Sequence, residues 1–152
     1  LPLLEGEGKQ VRLILGDAYG ETAPVKTFSE TFYADALLEA GASIPMPDNH
    51  EDRGLYILTG AVTVSGQTFQ AGQMLVFRPG DRISARAGDA GARVMLLGGA
   101  TMDGPRHIWW NFVASSKDKI DAAKEAWRAG DWAHGRFKLP PNDDSEFIPA
   151  PN

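Results

Sequence analysis

Short apolar runs, each followed by turn residues, fill the chain from Gln10 to about Leu97. The runs recur at a spacing near 10 residues and are rich in β-branched and aromatic side chains. This pattern is typical of a β-sandwich or β-barrel with tight turns, and the Gly-Asp-Ala-Gly stretch at 88–91 reads as one of those hairpin turns. The predicted strands cover residues 11–15, 27–38, 55–58, 61–64, 73–77, 83–87 and 92–97.

The apolar pattern changes after residue 102. Residues 108–113 alternate as one further strand, whereas the tail after Gly135 contains four prolines and an acidic cluster. We expect this tail to be an extended arm rather than another helix or strand. One face of the strand carries Ile108, Trp110 and Phe112, and the arm is expected to pack through Phe137, Phe147 and Ile148.

A single helix is predicted between these two segments, over residues 116–129. Ser115 and Ser116 both offer an N-cap, and Asp118 stands three residues after Ser115 at the spacing of a capping box. Gly130 supplies the C-terminal stop. The apolar stripe of this helix consists of Ile120, Ala123 and Trp127.

These patterns divide the chain into three segments. Residues 1–9 are interpreted as a linker or N-terminal arm, residues 10–102 as a β-barrel, and residues 103–152 as a strand, helix and tail packed on that barrel. The first segment has the Glu and Gly content of a linker. Because the sequence begins with Leu1 rather than with Met, we interpret it as part of a longer protein. The predicted fold class is all-β with one C-terminal helix.

Composition and charge exclude several classes of function. A length of 152 residues fits one domain, and the net charge of −5 argues against a nucleic-acid surface, which needs many basic contacts. No apolar run approaches the roughly 20 residues of a membrane span, so no membrane partner is predicted. The chain contains no cysteine, which is compatible with a reducing cytoplasm, the expected location, and excludes a thiol nucleophile.

The segment from Gly41 to Ala87 resembles a cupin, a double-stranded β-helix or jelly-roll barrel. Metal-binding cupins carry His-x-His, a glutamate and a later histidine at fixed distances from turn glycines. The glycine spacing is kept here, but the four ligand positions hold Pro47, Asn49, Arg53 and Ile83. Proline and isoleucine offer no side-chain donor, and an arginine cation repels a metal. We therefore predict neither a metal site nor a catalytic residue in this chain.

The three histidines do not form a metal site either, because they are isolated from one another in the sequence. His107 and His134 show no ligand spacing to His50 or to each other. Strand alternation turns His50 outward if Asn49 faces inward, so a surface or loop role is predicted for His50. No Gly-x-Ser-x-Gly motif offers a serine nucleophile either.

The vacant ligand positions predict an apolar pocket with one cation near its mouth. If position 53 faces inward, Leu55 and Ile57 do too, and Ile83 and Ala85 meet them from the opposing sheet. An unpaired buried arginine is costly, so Arg53 must reach solvent or a carboxylate, of which Asp48, Glu51 and Asp52 are the nearest in sequence. Two interpretations stay open: a structural ion pair, or a site for an anionic ligand. The candidate pocket comprises Asn49, Arg53, Leu55, Ile57, Ile83 and Ala85.

Longer motifs narrow the resemblance to the C-terminal cupin domain of pirin-family proteins. The stretches that carry it are residues 24–27, 38–43, 51–60, 104–113 and 144–149, together with the intervening helix. The most distinctive is the segment around Trp109 and Trp110. The resemblance covers nearly the whole chain, and it implies a parent protein with two cupin domains in tandem.

In the family, a divalent metal such as iron is typically held by three histidines and a glutamate of the N-terminal cupin, so the resemblance implies no cofactor in this chain. Some members oxidise quercetin, and others act as transcriptional co-regulators or bind enzymes. The first hypothesis is a non-catalytic, metal-free module whose partner is the N-terminal cupin or another protein. The alternative is a cupin that binds a small organic ligand or is enzymatic, with quercetin 2,3-dioxygenase-like activity residing in the full-length protein.

Overall fold

The computed structural model describes residues 1–151, which form two compact units with a boundary after Thr101. The first unit contains nine strands: β1 (Leu3–Gly6), β2 (Lys9–Ala18), β3 (Glu21–Thr22), β4 (Thr31–Leu38), β5 (Ser43–Pro45), β6 (Asp52–Val64), β7 (Gln67–Gln70), β8 (Met74–Phe77) and β9 (Ser84–Gly99). The second unit contains β10 (His107–Trp109), β11 (Phe112–Ala114) and helix α1 (Lys117–Ala129). No helix within residues 1–151 has the length and hydropathy needed to cross a bilayer.

The nine strands of the first unit pair antiparallel in the order β1-β2-β4-β9-β6-β7, with β3 beside β2, β5 beside β9 and β8 beside β6. The two long strands β6 and β9 pair with different neighbours along their lengths, so the sheet folds over on itself. Alternate side chains from both halves meet in one core, which includes Leu13, Ala34, Leu55, Val62 and Leu96. The architecture is therefore the β-sandwich that the apolar runs predicted.

The hairpin turn predicted at residues 88–91 is wrong, because β9 runs without interruption from Ser84 to Gly99. Gly60 pairs with Ala92, and Val62 pairs with Ala87, so the intervening residues of β9 form an irregularity opposite β6. The predicted break in β6 near Thr59 is likewise a bulge within one continuous strand. Glycines at these points bend both strands together rather than end them.

The turn predicted after Val64 is confirmed. Ser65 and Gly66 have φ angles of 49° and 82°, and Val64 pairs with Gln67 across the turn. Two left-handed residues in a two-residue loop match the right-handed twist of a hairpin. The strand that follows, β7, is rich in polar residues and had no apolar run to predict it. Residues 3–6, expected in a linker or arm, form strand β1.

The second unit contains a hairpin where one strand was predicted. Trp110 has a φ of 51°, which reverses the chain between β10 and β11, and Ile108 then pairs with Val113. Ile108 is 73% exposed, whereas Phe112 is buried, so the two do not share an inward face as alternation along one strand required. The single-strand prediction for 108–113 is wrong because the turn carries no glycine or proline signal.

Helix α1 confirms the predicted helix and its caps. Ser116 is the N-cap and accepts a hydrogen bond from the backbone N–H of Lys119, while Gly130 ends the helix with a φ of 67°. With Lys119 at the third helical position, Asp118 does not close a capping box. The aromatic core of this unit consists of Trp109, Trp110, Phe112, Trp127 and Phe137, packed on Ile120 and Ala123.

The described tail after Gly135 contains no helix or strand, as predicted, and it contacts this aromatic core. Phe137 stacks on Phe112 with the ring centroids 5.2 Å apart, and Phe147 lies 4.8 Å from Trp132. The side chain of Ile148 is exposed, so its predicted packing is wrong. Ile148 contacts the aromatic core through its main chain instead, because its carbonyl oxygen accepts a hydrogen bond of 3.0 Å from the indole N–H of Trp127.

Candidate functional site

Arg53 is the charged side chain that β6 directs into the first unit. It is 3% exposed and stands on the same face of the strand as Leu55 and Ile57, which are fully buried. Ala85, on β9, is also fully buried, and Ile83 is half-buried just before that strand. Five of the six candidate pocket residues therefore lie on the inner side of the sandwich.

The guanidinium of Arg53 binds main-chain oxygens. Its Nη1 donates to the carbonyl of Pro47 at 3.3 Å, and its Nη2 donates to the carbonyl of Arg78 at 3.0 Å. Its Nε has no hydrogen-bond partner among the described residues. The side chain thus joins the loop before β6 to the turn after β8, which are 6 and 25 residues away in sequence.

The expected ion pair of Arg53 is absent from the described residues, which corrects that interpretation. Asp48, Glu51 and Asp52 are all exposed, and none of them approaches the guanidinium within 4.0 Å. Strand alternation explains this for Asp52, because it precedes an inward residue and so faces outward. Bonds from a charged donor to carbonyls, each worth about 1.5–3 kcal/mol, offset part of the cost of burying the cation.

This donor set does not fit a divalent metal. Pro47 is buried and contributes a carbonyl that Arg53 already occupies. Ile83 contributes a carbonyl that accepts from the backbone N–H of Met46 at 2.9 Å. Within residues 1–151 there is no group of three or more His, Cys, Asp or Glu side chains that could hold a metal ion. A fixed guanidinium among these groups repels any cation that enters.

The structure reverses the predicted orientations of Asn49 and His50. Asn49 is exposed, and its amide donates to Asp17 Oδ2 at 2.9 Å, so it lies outside the pocket. His50 is 3% exposed and stacks on Phe32 at 4.5 Å between ring centroids. Alternation failed here because residues 46–51 form a loop between β5 and β6, where side chains follow no two-residue period.

Both ring nitrogens of His50 face oxygen atoms. Nδ1 lies 3.1 Å from Glu30 Oε1, and Nε2 lies 2.8 Å from the carbonyl oxygen of Asp17. These contacts fasten the β5–β6 loop to β2 and to the segment before β4. The partners are 20 and 33 residues away, so no local sequence signal indicated them.

An open cleft of about 570 Å³ runs beside Ile83, between β7 and β8. Its apolar lining includes Phe69, Leu75 and Phe77, and its polar lining includes Arg78 and Asp81. No histidine lines it, and Asp81 is its one carboxylate among the described residues. The cleft has the size of a small-molecule site but contains no acid–base pair and no activated nucleophile.

Comparisons with known proteins agree on one family. The family model of the pirin C-terminal cupin domain matches residues 33–133. A pirin-like protein of Caulobacter vibrioides is 44% identical over 151 residues, which cover 99% of this chain and 50% of that protein. Pirin-1 of Arabidopsis thaliana is 29% identical over 131 residues, covering 81% of this chain and 45% of the relative.

A solved structure shows the same likeness. The crystal structure of a quercetin 2,3-dioxygenase from Acinetobacter baumannii matches 100% of this chain and 50% of its own, with a TM-score of 0.81 and 29% identity. The chain therefore spans about half the length of the relatives that it matches.

Proposed function

The chain belongs to the pirin family and matches its C-terminal cupin domain, and on that premise we propose that it is a metal-free, non-catalytic module of a longer protein. Its role in this proposal is to support a metal-binding N-terminal cupin or to bind another protein. Any divalent metal, such as iron, belongs to that other half. The proposed location is the cytoplasm.

The observation that carries this proposal is the placement of Arg53. A metal-binding cupin has a glutamate at this position, and an anion there would face the metal. Here the side chain is a buried cation that two carbonyl oxygens hold in place. Such a group stabilises the loop and turn that it joins, and it leaves no anionic ligand for a divalent ion.

The second candidate is a small-ligand-binding or enzymatic cupin, and the cleft beside Ile83 favours it. That cleft is open and large enough for an organic molecule. Since it presents no acid–base pair, we assign to it binding rather than catalysis. Quercetin 2,3-dioxygenase activity, which the name of the Acinetobacter baumannii relative states for that protein, is proposed here only for the longer parent protein.

Metal content and activity test the proposal together. The purified chain is incubated with Fe²⁺ or Ni²⁺, dialysed, and analysed for bound metal and for oxidation of quercetin. We expect well below one metal per chain and no oxidation. In the full-length protein, Arg53→Met is expected to leave the metal content unchanged.

One tightly held metal per chain, or quercetin turnover by the chain alone, would overturn the non-catalytic assignment. Binding of quercetin without turnover, lost when Phe77→Trp narrows the cleft, would favour the second candidate. Val25→Trp is the control, because Val25 is 45% exposed and does not line this cleft.

A further inference from the structure

A second cleft, whose lining does not include Arg53, opens between the β1–β2 hairpin and strand β5. Its volume is about 440 Å³, within the range of small-molecule sites. Val11 and Ile44 line it and belong to the core, so the cleft reaches the interior of the sandwich. The rest of its apolar lining consists of Leu4, Tyr19 and Pro45.

Lys9 is the charged residue that the strand register directs into this cleft. It precedes Val11 and Leu13 on the inward face of β2, and it pairs with Gly6 of β1 as Val11 pairs with Leu4. Because Gly6 has no side chain, the stem of Lys9 has room to lie along the lining, and its side chain is only 23% exposed. A lysine at a core-facing position is unusual and calls for a partner.

The partner that Lys9 has in this structure is easily displaced. Its ammonium pairs with the carboxylate of Glu7, a turn residue whose side chain is 85% exposed. The hydrogen bond from Lys9, together with its charge, holds the pKa of the Glu7 carboxyl below its ordinary value. An exposed pair of this kind contributes little to stability, so an incoming anion competes with Glu7 at small cost.

Tyr19 closes the cleft on another side. Its φ of 55° is rare for a tyrosine, and its hydroxyl donates to the carbonyl oxygen of Pro45 at 2.5 Å. Burial raises the pKa of this hydroxyl far above its ordinary value, so it stays neutral. Tyr19 therefore contributes an apolar ring face and no charge.

We propose that this cleft binds a small amphipathic carboxylate. The apolar body of the ligand lies against Val11, Ile44 and the ring of Tyr19. Its carboxylate replaces Glu7 as the ion-pair partner of the Lys9 ammonium.

Glu5 and Glu7 also line the cleft, but Glu5 accepts a hydrogen bond from Gln10, with which it pairs on the outward face of the hairpin, and Glu7 is the partner to be displaced. Lys9 is the only basic side chain of the described residues in that lining, so its ammonium selects an anion. A carboxylate held inside the cleft is shielded from water, so its charge-assisted bond to Lys9 is stronger than the bond from Lys9 to Glu7, whose side chain is 85% exposed. This inference is independent of the proposed function.

The test uses octanoate as the probe, with 1-octanol and octylamine as neutral and cationic analogues of the same length. Binding is followed by two-dimensional ¹H–¹⁵N NMR titration of the 152-residue chain. We expect octanoate to shift the amide signals of Val11, Tyr19 and Ile44 with a Kd of about 1 mM or lower, and 1-octanol to bind at least about 5-fold more weakly.

Two substitutions separate this proposal from non-specific apolar binding. Lys9→Met keeps the stem and is expected to reduce octanoate binding to the level of 1-octanol, whereas Lys26→Met, at an exposed lysine, leaves it unchanged. Glu7→Gln removes the competing carboxylate and is expected to tighten octanoate binding several-fold. This exposed variant keeps the test decisive even if Lys9→Met unfolds.

Three results would overturn the proposal. They are no shift with octanoate, equal affinity for octanoate and octylamine, or octanoate binding that is insensitive to both Lys9→Met and Glu7→Gln.

Discussion

The backbones of Gly60 and Gly91 approach so closely that a Cβ on Gly60 would stand 2.2 Å from the carbonyl oxygen of Gly91. Both glycines have φ angles near 75°, at 77° and 74°, in the left-handed region. They lie where β6 and β9 change pairing partners, so the fold of the sheet over its core depends on both. Glycine is therefore required at both positions for two reasons, the close approach of the backbones and the positive φ.

Gly60→Ala is expected to lower the free energy of unfolding by about 3 kcal/mol or more, because it adds a backbone clash to the cost of a positive φ. Gly66→Ala is the matched control, since Gly66 has a φ of 82° but no atom within 4 Å of the added Cβ. That control should lose only about 1 kcal/mol. Urea denaturation measures the free energy of unfolding of both variants. Equal losses would show that the close approach of Gly60 to Gly91 does not constrain the residue at position 60.

Arg53→Met is expected to lower the free energy of unfolding by about 1–3 kcal/mol, because the carbonyls of Pro47 and Arg78 lose their charged donor. Arg78→Met tests whether the side chain or the main chain of residue 78 matters. The Arg78 side chain is exposed and its carbonyl is unaffected by the substitution, so its loss should stay within about 0.5 kcal/mol. A larger loss for Arg78→Met than for Arg53→Met would contradict the role assigned to Arg53.

His50→Phe retains an aromatic ring against Phe32 and removes both polar contacts. The carbonyl of Asp17 then loses its partner in a partly buried place, so we expect the free energy of unfolding to fall by about 1 kcal/mol. His134→Phe is the control, because the side chain of His134 is 87% exposed. Thermal denaturation at neutral pH compares the Tm of the two variants. Equal Tm values would contradict the structural role assigned to the contacts of His50.

The Asp35–Arg93 pair predicts a pH dependence. Arg93 donates to both carboxylate oxygens of Asp35, at 2.9 and 2.7 Å, and these bonds hold the pKa of Asp35 below its ordinary value. Because the folded-state pKa is depressed, the contribution of the pair is complete above the unfolded pKa, about 4, and is lost as the pH falls through the folded value.

Asp35→Asn is therefore expected to lower stability at pH 7 by at most about 1 kcal/mol, since the Arg93 side chain is half-exposed. The difference from the unsubstituted chain should be smaller at about pH 2, below the unfolded pKa, than at pH 7. Urea denaturation at the two pH values measures it. A difference that grows in acid would have the wrong sign for a depressed pKa.

Local signals account for what the sequence predicted correctly. The Ser65–Gly66 turn and the caps Ser116 and Gly130 each depend on the conformation of one or two residues, and the residue types indicate that conformation. The inward face of β6 follows from alternation alone. The predictions that failed depend on distant partners. Glycines at 88–91 indicate a turn, but β6 pairs with Ala87 before them and with Ala92 after them, which keeps them within one strand. The contacts of His50 join residues 20 and 33 positions apart.

The partners of Arg53 were beyond sequence reasoning for a different reason. Asp48, Glu51 and Asp52 carry the charge that neutralises a guanidinium, and their residue types disclose it. The acceptors are main-chain oxygens, which every residue has, so residue types do not disclose them. Only the path of the backbone through Pro47 and Arg78 brings those oxygens to Arg53.

The use of main-chain acceptors also determines where mutations are tolerated. Any amino acid at position 78 supplies the same carbonyl oxygen, and the side chain there is exposed. Substitutions at 78 therefore leave the contact with Arg53 intact, whereas a substitution at 53 removes two bonds at once. An ion pair would have tied two positions together, so that a change at one required a change at the other. In this arrangement the constraint falls on a single codon, and the turn after β8 remains free to diversify.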